Sequence, residues 1–422
     1  MRVVSGESDP LPRAERLQAK SEVVESPSPV GNILSAPLRR RSAAPLTPPP
    51  GPRAVDVSSQ SASPANTTAA SAADERLLAL IPLGTRDAAP KPLRHGPSVD
   101  SSGRLIVTSR NRVAAISIDE NDCRIAWTIE LEGFVSSAPA IGSDGAARVH
   151  ADDGNLHYLD ADGRRCRPSV AVGSPLAHAG PIVDGGGVTW ICRHDGGLLR
   201  VDAEGEASLF FRSRQRFDCV PLLHDGRIYV GAGDNFVYAI GLSGRRGESL
   251  WNHKAGCGEV AWYVNARPAT LGANTILAAC RDSKNQLYAF DLEGGLQWSA
   301  SMPGLMLGAP VVGRDGEIYV TLTLSERGEL DRGALVCFDS RSRSIRWTYE
   351  IAAAAESTPL IDTEGVVYFG DVSGRVHAVT AVGGAKWQAD VESAIRSEGA
   401  LVGSACVAFV TDDHSVAVLR RD

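Results

Sequence analysis

The chain has 422 residues and is rich in glycine, with 43 Gly against 6% aromatic residues, a composition that suits short strands and tight turns better than long helices. Its formal net charge is −7, and the acidic excess lies after residue 72, which argues against binding to nucleic acid. No run reaches the roughly 18 uncharged apolar residues that a membrane span requires, so none is predicted.

Residues 1–72 form a Pro- and Ser-rich segment with no sustained apolar periodicity. Such a segment cannot bury enough surface to offset the entropy lost on ordering, and we expect it to be disordered. Its first residues have neither the apolar core of a secretory signal nor a cysteine placed for lipid attachment, which predicts a cytoplasmic protein. The eight cysteines are scattered without a CxxC pair and are expected to be free, mostly buried thiols.

A single strand is predicted over about residues 76–84, and a repeated unit follows it. The clearest copy has a strand at residues 317–320, a strand ending in Asp at residues 334–339, and a third strand ending at Trp347. A short apolar strand precedes each such set. The charged stretch at residues 325–332 is predicted to be the longest loop between second and third strands, either a solvated insertion or a contact surface.

Eight copies of this unit follow residue 75, at a period of about forty residues, which is typical of one four-stranded propeller blade per copy. Asp-Gly turns such as Asp225-Gly226 and Asp315-Gly316 supply the positive φ of tight hairpins. A large ring recurs at the end of most copies and is interpreted as a wedge between neighbouring sheets. The recurring tryptophans are Trp127, Trp251, Trp298, Trp347 and Trp387.

The last copy stops after its third strand, at residues 415–419, and the isolated strand at 76–84 is what it lacks. Pairing of the two would close the ring and remove both exposed sheet edges. The sequence therefore predicts an all-β protein: residues 1–72 disordered, and residues 73–422 an eight-bladed β-propeller of four-stranded antiparallel blades.

These units resemble the pyrroloquinoline-quinone-like (PQQ-like) β-propeller repeat, on motifs such as residues 225–230 and residues 287–294 followed by Trp298. The resemblance implies the propeller fold. Its members include quinone-dependent dehydrogenases, the propeller lipoprotein of the outer-membrane β-barrel assembly machinery, and scaffold propellers. Many of the dehydrogenases carry an adjacent cysteine pair at the cofactor, and this chain has none. No cofactor is therefore predicted, and PQQ with calcium is not supported.

Other catalytic signatures are absent from the sequence: it contains neither a G-x-S-x-G nucleophile elbow nor a G-x-x-x-x-G-K-[ST] phosphate loop. His150, His157 and His377 fall on or beside blade strands without the spacing of metal ligands. No catalytic or metal-binding residue is predicted. Whether the chain is an enzyme stays open, with a non-catalytic role favoured.

Recognition by propellers uses the rim where the segment leading into each first strand meets the loop between strands two and three. Large aromatic and cationic residues in these lead-in segments are the candidate contacts, because such residues dominate protein interfaces. They are Trp262, Tyr263, Arg216, Phe217, His178 and Arg396. The alternative for Trp262 and Tyr263 is that they cap the channel or fill a gap between blades.

The favoured hypothesis is a non-catalytic scaffold or sensor propeller that binds a protein or peptide partner at this rim. One alternative is an oxidoreductase that uses a quinone or another small ligand in the central funnel. Another is an outer-membrane assembly factor without a visible export signal. The partner's identity and the oligomeric state stay open.

Overall fold

The computed structural model describes residues 76–83, 95–119, 122–173, 180–217, 219–244, 246–255, 267–280, 285–326 and 329–422. The predicted disordered segment and the candidate residues His178, Trp262 and Tyr263 lie outside these ranges. Every regular element within them is a β-strand, and none of these residues belongs to a helix with the length and apolar character needed to cross a bilayer.

Thirty-two strands follow one another along the chain. The first half comprises β1 (Leu77–Pro82), β2 (Ser98–Val99), β3 (Leu105–Ser109), β4 (Arg112–Ile118), β5 (Cys123–Glu130), β6 (Ala140–Ile141), β7 (Ala147–His150), β8 (Asn155–Leu159), β9 (Val170–Ala171), β10 (Ile182–Val183), β11 (Thr189–Cys192), β12 (Gly197–Val201), β13 (Ala207–Arg212), β14 (Leu222–His224), β15 (Arg227–Gly231) and β16 (Phe236–Gly241). The second half comprises β17 (Glu248–Lys254), β18 (Ala269–Leu271), β19 (Thr275–Ala279), β20 (Gln286–Asp291), β21 (Leu296–Ser301), β22 (Val311–Val312), β23 (Glu317–Glu326), β24 (Glu329–Asp339), β25 (Ser344–Ile351), β26 (Leu360–Ile361), β27 (Val367–Gly370), β28 (Arg375–Val379), β29 (Ala385–Asp390), β30 (Ala400–Val402), β31 (Cys406–Val410) and β32 (Ser415–Arg420).

These strands form eight four-stranded antiparallel sheets, which confirms the predicted propeller. Seven blades are consecutive quartets, from blade 1 (β2–β5) to blade 7 (β26–β29). The second and third strands of each blade are buried along nearly their whole length, as expected for strands packed between neighbouring sheets. The fourth strands of blades 1 to 7 are more exposed.

The ring closes as predicted, since blade 8 has the order β1-β32-β31-β30. Leu80 pairs with Ala417 and Pro82 with Ser415, while Ala79 and Ile81 are buried against the neighbouring blade. The same apolar cluster includes Leu105 of blade 1. The N-terminal strand thus joins the last blade to the first.

The recurring tryptophans pack between blades, as the sequence indicates. Trp127 donates its indole N–H to the carbonyl oxygen of Ala161, in the next blade, at 2.8 Å. Trp251, Trp347 and Trp387 make the equivalent bond to Leu292, Ala381 and Arg421. In blade 2, which lacks the tryptophan, Arg167 donates to the carbonyl of Ala203 at 3.0 Å and so replaces the bond.

The charged stretch in blade 6 differs from the predicted loop. β23 and β24 continue as one long hairpin, with pairing out to Glu326 and Glu329. Residues 327–328 at its tip lie outside the described ranges. The described cysteines are all free, and Cys166 is the exposed one among them, in agreement with the predicted buried thiols.

Candidate functional site

The lead-in segments and the loops between second and third strands share one rim. The backbone N–H of Asp152 donates to the carbonyl oxygen of Phe134 at 2.7 Å, and that of Asp412 to Ala394 at 2.8 Å. Each bond ties a second-to-third loop to the segment leading into the same blade. Because first strands surround the central channel of a propeller, these lead-in segments surround the channel mouth.

Three charged side chains meet at this mouth between blades 7 and 8. The Arg396 guanidinium is bound to the Asp412 carboxylate, and its Nε lies 3.3 Å from Oε2 of Glu356. All three side chains are largely buried. Arg396, predicted to contact a partner, is thus held in one position by two carboxylates from adjacent segments of the rim.

A second ion pair joins blades that are not neighbours. Arg267, which leads into blade 5, lies 3.2 Å from Glu398, which leads into blade 8, and both side chains are about one-third exposed, at 39% and 32%. Blades 6 and 7 separate these segments around the ring. The pair therefore reaches across the channel mouth. We refer to Arg267, Glu356, Arg396, Glu398 and Asp412 as the channel-mouth cluster.

Arg216 and Phe217, the candidates in blade 4, have different environments. Arg216 is half-buried, and its Nη1 lies 3.2 Å from Nε2 of His194. Phe217 is fully buried, and its ring packs edge-on against Tyr238 at 6.4 Å. In this arrangement the ring of Phe217 offers no contact area to a partner.

Phe134 is a rim residue that the sequence did not single out. Its side chain is 61% exposed in the segment leading into blade 2. The other exposed large apolar side chains among the described residues lie on fourth strands, apart from Val382, which is 83% exposed in a turn on the opposite rim. Among those residues, Phe134 is therefore the large apolar side chain that this rim presents to solvent.

The structure also brings together three potential metal ligands, Glu132, Asp153 and His157, whose ligand atoms lie within 4.8 Å of one another. All three already have partners. Arg165 binds Glu132 through both carboxylate oxygens at 2.6 and 2.7 Å, and this hydrogen bond holds the pKa of Glu132 below its usual value. Nε2 of His157 lies 3.0 Å from Asp153. Glu132 is thus held by Arg165, and Asp153 and His157 are held by each other.

The channel-mouth cluster does not fit a quinone cofactor of the kind that the dehydrogenases with this repeat carry. Pyrroloquinoline quinone is a tricarboxylate and needs cationic partners. The channel-mouth cluster instead has three carboxylates against two guanidinium groups, and each guanidinium is already paired.

Comparison with known proteins places the chain among propellers. Its residues 66–179 and 283–421, more than half of the sequence, match the family described as outer membrane protein assembly factor BamB. No significant match is found among curated protein sequences.

Three solved structures illustrate the likeness. BamB from Moraxella catarrhalis has a TM-score of 0.64 at 17% identity, over 79% of this chain and 98% of that chain. The computationally designed Ika8 protein has 0.64 at 12%, over 82% and 99%. Quinohemoprotein alcohol dehydrogenase from Comamonas testosteroni has 0.62 at 13%, over 82% and 76%. An assembly factor, a designed protein and a dehydrogenase thus share this fold, which by itself selects no activity. The repeat, the closed eight-bladed ring and the family match together establish that the chain belongs to the PQQ-like β-propeller family.

Proposed function

We propose that this protein is a non-catalytic scaffold that binds a protein or peptide partner through the rim containing Phe134 and the channel-mouth cluster. The observation that carries the proposal is the exposed Phe134 ring on the rim formed by the lead-in segments. A rim that carries both an exposed aromatic ring and arginine side chains has the composition of an interface hot spot.

The arginines of this rim support the proposal because their positions are fixed. Arg396 is held between Glu356 and Asp412, and Arg267 by Glu398. A side chain that is already ordered loses little entropy on binding, which favours affinity. Among the other predicted contacts, His178, Trp262 and Tyr263 lie outside the described residues and stay candidates on the strength of the sequence alone.

A matched pair of substitutions tests the proposal. The native protein and the variants Phe134→Ser and Val382→Ser are each purified by affinity from the protein's own cells. The recovery of copurifying proteins is then compared between the two variants. Both changes remove an exposed apolar side chain, but Val382 lies on the opposite rim. We expect Phe134→Ser to reduce recovery of a specific partner and Val382→Ser to leave it unchanged. Equal recovery with both variants would exclude Phe134 as a contact.

A second candidate is an envelope assembly factor, which the family match over more than half of the chain favours. Under the first proposal the native protein is cytoplasmic, whereas an assembly factor copurifies with outer-membrane proteins. Fractionation of cells that express the native gene separates the two. Recovery with the cytoplasmic fraction alone would exclude the assembly role.

A further inference from the structure

A cleft of about 280 Å³ opens between blades 6 and 7 on the same rim. Its wall on blade 6 includes Glu350, at the end of β25. Its wall on blade 7 includes Asp371, Arg375, His377 and Gln388. The imidazole of His377 is 2% exposed, so this cleft is built around a buried polar ring.

His377 has one satisfied and one unsatisfied ring nitrogen. Nε2 lies 2.9 Å from Oδ2 of Asp371, while buried Nδ1 has no hydrogen-bond partner. Burial alone would raise the pKa of Asp371, but hydrogen bonds from His377 and Ser373 hold it below its usual value. Asp371 is therefore an ionised acceptor, and the Nε2 proton points to it. In the neutral ring, Nδ1 is then a buried acceptor that requires a donor.

Blade 2 has a histidine at the same place with both nitrogens satisfied. Nε2 of His157 lies 3.0 Å from Asp153, and its Nδ1 lies 2.9 Å from the hydroxyl of Ser169. The strand register, in which Leu156 pairs with Val170, sets Ser169 opposite His157. In this blade a neighbouring hydroxyl completes the hydrogen bonding of the ring.

Gln388 occupies the corresponding position in blade 7, directly opposite His377. Its amide nitrogen donates instead to the Tyr349 hydroxyl at 2.6 Å, and Nδ1 of His377 is left without a donor. The preceding connection has Ala352 where blade 1 has Glu132. Nδ1 thus lacks the donor that its counterpart in blade 2 has, and the exposed Gln388 side chain must turn aside for a ligand to reach it.

The charges around the cleft favour a cationic occupant. The Arg375 guanidinium is engaged by Asp390, with Nε 2.8 Å and Nη2 3.2 Å from the two carboxylate oxygens. Arg332 engages Oε2 of Glu350 in the same way, so the three carboxylates around the cleft, with Asp371, exceed the two guanidinium groups by one. The acceptors that remain are Oε1 of Glu350, the Gln388 carbonyl oxygen and Nδ1 of His377. A primary ammonium group has three donors and no acceptor, so it complements this set.

We propose that this cleft binds a primary ammonium group, supplied by a lysine side chain of the partner. The assignment rests on the proposed function, because it places the lysine of that partner on the same rim as Phe134. The ammonium takes the place that the Ser169 hydroxyl has in blade 2, and its charge is balanced by the carboxylates of the cleft, which outnumber the guanidinium groups by one.

Calorimetry with the full chain tests this assignment. The probes are two blocked tripeptides that differ only in a central lysine or norleucine. We expect the lysine peptide to bind at least about tenfold more tightly, the effect of one lost charge-assisted hydrogen bond. Gln388→Ser supplies the hydroxyl found in blade 2, and Glu350→Gln removes the carboxylate; each should abolish this preference. His157→Gln, at the matched position in blade 2, should leave it intact.

Equal affinity for the two peptides would overturn the proposal, since a water molecule would then suffice as the partner of Nδ1. A lysine preference that persists in either Gln388→Ser or Glu350→Gln would also overturn it, because the ammonium would bind elsewhere. Both substitutions lie on exposed side chains, so neither depends on a core change. If Phe134→Ser still reduces partner recovery while no lysine preference exists, the cleft assignment fails and the proposed function stands. Lysine binding without any recovered partner would overturn the assignment to a partner's lysine.

Discussion

Replacement of Gly163 by alanine tests how closely the blades pack. Gly163 lies in the turn of blade 2 that receives the ring of Trp127, with φ of 78°. A Cβ there would lie 2.6 Å from ring atoms of Trp127. Gly145, in another Asp-Gly turn of the same blade, has φ of 75° and no heavy atom within 4 Å of the corresponding position. The two glycines differ in their surroundings and hardly at all in conformation.

The expected costs follow from this difference. Each alanine must adopt a left-handed conformation, which costs about 1–2 kcal/mol. Gly163→Ala also forces the Trp127 ring to move within a packed interface, at an additional cost of about 1–3 kcal/mol. Gly163→Ala should therefore reduce the free energy of unfolding by about 1–3 kcal/mol more than Gly145→Ala.

The assay is the midpoint of denaturant unfolding, measured for both variants in the wild-type and the Trp127→Leu backgrounds. With the indole removed, Gly163→Ala should cost no more than Gly145→Ala, so the two substitutions are coupled. Equal costs of the two alanines in the wild-type background would refute the wedge interpretation of Trp127. The interpretation is supported if the effects of Gly163→Ala and Trp127→Leu are not additive while those of Gly145→Ala and Trp127→Leu are.

Three further predictions concern an ion pair between blades 7 and 8, the reactivity of two thiols, and the dependence of stability on pH. Asp362→Ala removes one partner of the buried pair with Arg421, so it should cost about 3 kcal/mol or more in the free energy of unfolding, measured by denaturant titration. In the folded protein, an alkylating reagent should modify the exposed Cys166 and leave Cys123 unmodified, because burial raises the pKa of the Cys123 thiol to about 12. Peptide mapping after alkylation checks this. Burial lowers the pKa of His150 from 6.5 to about 4 in the folded protein. The contribution of the neutral imidazole to the free energy of unfolding is therefore fully present above about pH 6.5 and is lost as the pH falls toward 4. The midpoint of unfolding should fall by less over this range in His150→Gln, and an equal fall would refute the assignment.

The fold could be predicted because each blade repeats its own local rules. Turn glycines, alternating apolar residues and a terminal ring recur within about forty residues, so the pattern is readable copy by copy. Ring closure followed from a missing strand: residues 415–419 lacked a partner, and residues 76–84 were the unpaired strand. Both inferences use only local pattern and the number of strands in a blade.

The channel-mouth cluster could not be predicted in the same way. Arg267 and Glu398 meet because the ring brings the segments leading into blades 5 and 8 together at the channel mouth, and no local pattern encodes contacts between blades that are not neighbours. Phe217 shows the same limit from the other side. A large ring in a lead-in segment has the composition of a contact residue, but only the packing around Tyr238 determines that it is buried.

The propeller also supplies its own comparisons, because equivalent positions occupy equivalent surroundings. Where Arg167 replaces a tryptophan, the hydrogen bond to the next blade is retained, so that difference is structurally neutral. Where Gln388 replaces the serine of blade 2, the hydrogen bond is lost and His377 keeps an unsatisfied buried nitrogen. A difference between blades that preserves a hydrogen bond, such as Arg167 for tryptophan, is explained by the fold itself. One that leaves a buried acceptor beside an open cleft on the candidate rim requires a donor from outside the blade, and this distinction directs the search for function to His377.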